Sequence, residues 1–203
     1  MGTGGGGLVA QQGTGPGTRR AAGAALRRAL AGAGYEVLPF AGTAEAVLAH
    51  VPRTVPLTVT ASTKRGTAAT LALTERLSAE GYRVAPHLSA RMLRDGAELR
   101  EVVDRLRAAG TTSLFVVGGD AHGAGEFPDA LALLRALGEL DHPFTDVGVA
   151  GYPEGHASLG AAALERSLAE KAPLAHHVVT QICFDAAAIV AWARAVAAAS
   201  KQI

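Results

Sequence analysis

The chain has 203 residues, 49% apolar and 18% charged, with a formal net charge of +1. That is enough chain to bury a sizeable core in one domain, and the near balance of charge excludes a nucleic-acid-binding stripe or a polybasic membrane-surface tail. A single cysteine, Cys183, excludes a disulfide framework and a cysteine-rich zinc site, and no apolar run reaches the ~18–20 residues of a membrane span.

Met1–Gly17 is rich in Gly, Thr and Gln without apolar periodicity, which predicts a flexible leader ahead of a domain over residues 18–203. It lacks the charged region and apolar core of a secretory signal, so a cytoplasmic chain is expected. Gly2–Gly7 resembles a phosphate loop only in its glycines, because no strand precedes it and no Gly-Lys-Ser/Thr follows. Thr18–Ala33 predicts a helix, with Leu26 and Leu30 one turn apart. Tyr35–Phe40 predicts a strand that carries Glu36 among apolar neighbours. Thr43–His50 predicts a helix with Thr43 as N-cap.

Five further strands follow, at Pro56–Ala61, Tyr82–His87, Ser113–Gly118, Asp146–Gly151 and Val178–Phe184. Helices follow them at Thr67–Glu80, Asp95–Ala109, Phe127–Leu140, Ser158–Lys171 and Asp185–Ser200, with Pro128 in the first turn of the third. The strand cores read as unbroken apolar runs, which suits parallel strands joined by helical crossovers. An open doubly wound sheet and a (β/α) barrel both satisfy that pattern. Even spacing, ionisable groups after nearly every strand and the absence of a Gly-x-Gly-x-x-Gly turn favour a TIM-type barrel with six of eight βα units.

In a barrel the strand exits form one ring. That ring would hold Glu36, Thr60, Ser62, Lys64, His87, Asp120, Tyr152, Glu154, His156, Gln181 and Asp185. Asp120 ends the run Phe115–Asp120, where Gly118 and Gly119 let the chain turn. Taken alone it reads as a helix N-cap or loop carboxylate; the recurrence of polar groups after the other strands favours a place in the site. Glu36 has two readings. Flanked by Tyr35, Val37 and Leu38 it would be desolvated and suited to general-acid work. Facing the barrel exterior, it would be solvated. His87, His156, Asp120 and Glu154 have the chemistry of a zinc or manganese set but lack a compact ligand pair. Gln181, read as a buried strand amide, would need partners from neighbours or a ligand. Tyr152 and Phe184 could stack on a planar ring or pack in the core. His176 and His177 read as a solvated loop, and Trp192 as helix packing.

Several motifs, in order, resemble the methylenetetrahydrofolate reductase family. Tyr35–Phe40 is similar to its Phe-Glu-Phe-Phe-Pro-Pro strand, and Ala85-Pro86-His87-Leu88 to its Ala-Pro-His-Leu. Gly118-Gly119-Asp120, followed by Phe127-Pro128-Asp129-Ala130, resembles its Arg-Gly-Asp and succeeding helix. Gly151–His156 resembles Ala-Tyr-Pro-Glu-x-His, and Thr180–Asp185 resembles Thr-Gln-x-x-Phe-Asp.

The resemblance implies a flavin-dependent barrel that passes hydride from NAD(P)H through FAD to 5,10-methylenetetrahydrofolate. Glu36 would be the general acid and Asp120 its catalytic companion near the flavin. Thr60, His87, Gly119, Asp120, Tyr152, His156 and Lys171 would hold the cofactor, while Gln181 and Phe184 would contact the folate or nicotinamide. No metal is implied. A folate-binding subunit completed by a partner, such as a second copy in a homo-oligomer, is the alternative. Three departures from the pattern stand out. Gly118 replaces an arginine, Glu165–Lys171 carries Glu170 in a phosphate-binding region, and two further βα units of the family are not present after Asp185–Ser200.

Overall fold

The computed structural model of the chain describes residues 16–121 and 125–200. It divides into two compact units, residues 1–33 and 34–203. The first contains helix α1 (Pro16–Ala31), whose end is tied by the Gly32 N–H to the Arg28 and Ala29 carbonyls. The predicted leader lies outside the described residues, apart from Pro16 and Gly17, which open α1.

The second unit is a curled sheet of six parallel strands in chain order: β1 (Tyr35–Val37), β2 (Leu57–Val59), β3 (Val84–Ser89), β4 (Ser113–Val117), β5 (Asp146–Gly151) and β6 (His177–Thr180). Helices α2 (Thr43–His50), α3 (Gly66–Ala79), α4 (Gly96–Ala108), α5 (Ala130–Gly138) and α6 (Ala161–Lys171) alternate with the strands, and α7 (Ala186–Ser200) follows β6. The strand order never reverses, so there is no switch point of the doubly wound kind. The fold is a half-barrel, a partial TIM-type α/β barrel. Strand β3 pairs with β2 through Val84–Pro86 and with β4 through His87–Ser89. This stagger is what tilts strands around a barrel axis.

Burial alternates along the strands, contrary to the unbroken apolar pattern expected. One face packs under the helices. Leu57, Val59, Leu88, Leu114, Val116 and Val149 are each no more than 2% exposed there. At ~25 cal/mol per Å² of apolar surface, each such side chain contributes roughly 1.5–3 kcal/mol relative to an exposed one. Paired residues share a face, so the register places Glu36, Thr58 and Ala85 on the other, inner face. Two residues further along β3, His87 continues that face to Phe115, Gly148 and His177. Gly148 is required here, because a Cβ would run into the His177 and Phe115 rings.

Several boundaries differ from the sequence expectation. Strand β1 ends at Val37 rather than Phe40, and β6 ends at Thr180 rather than Phe184. These strands lie at the two ends of the sheet and have one strand neighbour each. Helix α2 starts after Gly42, whose φ is 84°, and Thr43 does not act as the N-cap. Pro128 precedes α5, which Asp129 caps by accepting the Ala132 N–H. The acidic cap expected of α7 forms, with Asp185 accepting the Ala187 and Ala188 N–H groups.

Candidate active site

Two groups of side chains gather on the exit side of the sheet. The first spans β1 to β3. Thr60 follows β2, and its hydroxyl lies 3.1 Å from Glu36 Oε1 and 3.3 Å from the Val37 carbonyl. Its backbone is fixed on both sides: the Thr60 N–H donates to the Val37 carbonyl, and the Thr70 hydroxyl donates to the Thr60 carbonyl. His87 is half-buried on the same face and packs its ring 4.7 Å from that of Phe115. Burial lowers the His87 pKa, and the nearby Glu36 carboxylate works against that shift. The first reading of Glu36 is corrected here. The side chain is exposed, as are Tyr35 at 52% and Leu38 at 45%, so its apolar neighbours do not desolvate it. It is nevertheless on the inner face, not the exterior.

The second group spans the exits of β4 and β5. Gly119 has φ of 82° and lies so close to Ser89 that a Cβ would collide with the Ser89 hydroxyl. Its conformation aims the next residue, Asp120, outward, and that side chain is exposed. Beyond β5, Tyr152 meets His156 edge to face at 5.1 Å. Burial raises the Tyr152 pKa, and the negative charge of Asp120 raises it further. The His156 ring is set by its own loop, because Nδ1 accepts the Ser158 N–H at 3.2 Å.

Other predicted residues stand apart. Gln181 lies just past β6 and is exposed, so the premise of a buried strand amide is corrected. Phe184 is 96% exposed and packs in no core. Lys171 is on the last turn of α6, where the chain returns towards the start of β6, and is only 8% exposed. Burial lowers its pKa, and the Asp129 carboxylate at the start of α5 works against that shift. Ser62 and Lys64 lie in the β2–α3 connection, where the neighbouring Arg65 sits 5.6 Å over the Phe40 ring. Glu154 lies against Cys183, whose thiol pKa is raised by burial and by the Glu154 carboxylate, while the hydrogen bond to the Asp185 backbone carbonyl works against that shift. Among the described residues no three His, Cys, Asp or Glu side chains converge as metal ligands would.

Two features escaped the sequence reading. His177 is not in a loop but opens β6, and its Nδ1 is 2.8 Å from Asp146 Oδ1. Strand register, which no local pattern reveals, makes that pair. Ser89 is buried, and its hydroxyl has no partner among the described residues. The Ser-then-Gly approach across β3 and β4 is equally invisible in a linear sequence.

Residues 40–203 match the family model described as methylenetetrahydrofolate reductase. The match covers β2 to α7 and the whole second exit group, and starts four residues after Glu36.

Proposed function

Since a match over residues 40–203 shows that the chain belongs to the methylenetetrahydrofolate reductase family, we propose that it reduces 5,10-methylenetetrahydrofolate to 5-methyltetrahydrofolate with NAD(P)H in one-carbon metabolism. The reaction adds a hydride to the methylene carbon and a proton to the ring nitrogen whose bond to that carbon breaks. The chain must therefore supply an acid beside a site for planar rings. The observation that carries the reading is the Glu36 carboxylate held by Thr60 at 3.1 Å on the inner face, with His87 nearby. In this assignment Glu36 delivers the proton. Asp120 stabilises positive charge that develops on the folate. Gln181 and Phe184 contact the substrate from the β6 exit.

FAD, when bound, would carry the hydride between nicotinamide and folate. The ring-binding end suits it. Thr60, His87, Gly119, Asp120, Tyr152 and His156 offer hydroxyl, imidazole, phenol and close backbone approach on the exit side. The phosphate end is poorer. Gly118 carries no charge, and Lys171 is buried rather than presented to an anion. Weak FAD retention follows, and Lys171 drops out as the phosphate contact. The deciding experiment is NAD(P)H oxidation by the full chain with methylenetetrahydrofolate, with and without added FAD. Turnover that is abolished in Glu36→Gln supports the reading. No turnover under either condition rejects it.

One observation favours the second reading, a folate-binding subunit completed by another copy. Large apolar side chains are exposed along both ends of the sheet: Tyr35, Leu38 and Phe40 at one, Val179, Ile182 and Phe184 at the other. A homo-oligomer in light scattering, with folate binding but no turnover, would favour it. A stable monomer would count against it.

A further inference from the structure

We propose that Thr60 is a positioning residue for Glu36, a two-way hydrogen-bond partner that keeps this carboxyl in one place whether or not it holds a proton. The inference rests on the assignment of Glu36 as the acid, and deepens it. The Thr60 hydroxyl has one proton and lies within reach of two acceptors, Glu36 Oε1 at 3.1 Å and the Val37 carbonyl at 3.3 Å. It cannot donate to both at once. When Glu36 is ionised, the charge-assisted bond is the stronger, and the hydroxyl turns to the carboxylate. When Glu36 is protonated, its own O–H donates to Thr60 Oγ1, and the Thr60 proton swings to the Val37 carbonyl. That carbonyl already accepts the Thr60 N–H at 2.9 Å and has a second lone pair available.

Neither state leaves a donor stranded, and the switch needs only rotation about one C–O bond. The anchor does not move, because Thr60 is held by its N–H on β1 and by the Thr70 hydroxyl on its carbonyl. The Thr74 hydroxyl in turn donates to the Thr70 carbonyl at 2.8 Å. The titratable group facing Glu36 from beyond β2 is His87, whose pKa is lowered by burial. An acid that gains and loses a proton in each cycle would otherwise have to find a new partner in each state. A site that only held a cofactor would not need the second acceptor.

The test uses the full chain with Thr60→Val, which keeps the shape and removes the hydroxyl, and Thr60→Ser, which keeps the hydroxyl. Isotope-edited infrared difference spectra between each protein and its Glu36→Gln derivative isolate the Glu36 carboxyl bands at low and high pH. The expected result is that the bands of both the protonated and the ionised forms shift in Thr60→Val and return to the wild-type positions in Thr60→Ser. Wild-type bands in folded Thr60→Val would overturn the proposal. In turnover, kcat should fall about tenfold in Thr60→Val and recover in Thr60→Ser, with the KM for NAD(P)H unchanged. A loss of FAD affinity with unchanged kcat would leave Thr60 as a cofactor contact alone and overturn the positioning role. If the wild type shows no turnover, the reductase reading fails, while the infrared arm still decides the hydrogen bond.

Discussion

The two exit groups differ in how their carboxylates are held. Glu36 is exposed but tethered by a hydroxyl, on a face it shares with a half-buried imidazole. Asp120 is exposed on a glycine turn, and its charge raises the pKa of the Tyr152 phenol, which itself contacts His156. A tethered carboxyl suits repeated proton transfer, whereas a solvated one suits a standing negative charge. Under the proposed function, the contrast implies a division of labour: proton movement on the β1–β3 side, charge balance and ring contact on the β4–β5 side.

The largest test of that division is Glu36→Gln, which keeps the shape and removes the proton. Turnover should drop by about 10²–10⁴-fold with NAD(P)H binding retained. A loss under tenfold would break the comparison. Asp120→Asn should cost less, about tenfold to a hundredfold in kcat, or ~1.4–2.7 kcal/mol of barrier. It should also lower the Tyr152 titration midpoint, because Asp120 raises it now; ultraviolet titration of the phenol reads this directly.

Gly119→Ala probes the turn itself. A left-handed residue with a Cβ against Ser89 should lose roughly 1–3 kcal/mol of stability, seen as a lower Tm in calorimetry. Smaller still is the pH effect at His87. Burial places its folded pKa below the unfolded value of about 6.5, so the unfolded chain takes up the proton first. The stability that depends on neutral His87 is therefore present above about pH 6.5 and declines as pH falls from there through the folded value. His87→Gln should flatten that part of a Tm-against-pH curve. An unchanged slope would show that Glu36 compensates the burial fully.

The middle of the sheet was legible in the sequence and its ends were not. Leu114 and Val116, or Val147 and Val149, have a strand on either side and helices above, so local apolarity and burial agree. At β6, Val178 and Val179 carry the same β-branched signal yet are 37% and 49% exposed, and Ile182 and Phe184 leave the strand altogether. Pattern reports what a segment could bury, not whether a neighbour is there to cover it. The site followed the same division. Asp120 and Tyr152 fall just past strand ends, as counting along the chain expects, whereas Thr60, read inside Pro56–Ala61, follows a strand that ends at Val59. Left open or missed were properties set by distant partners: the solvation of Glu36, for which two readings stood, the burial of Lys171 and the pairing of His177 with Asp146.

Trp192 on α7 lies against Gly151, close enough that its indole occupies the space a Cβ would need. Gly151 immediately precedes Tyr152, and the chain has one tryptophan. The emission of this molecule therefore comes from a single indole resting on the backbone that carries the second exit group. A ring that settles beside Tyr152 and stirs that backbone would announce itself optically, without any label, and Trp192→Phe would silence the signal.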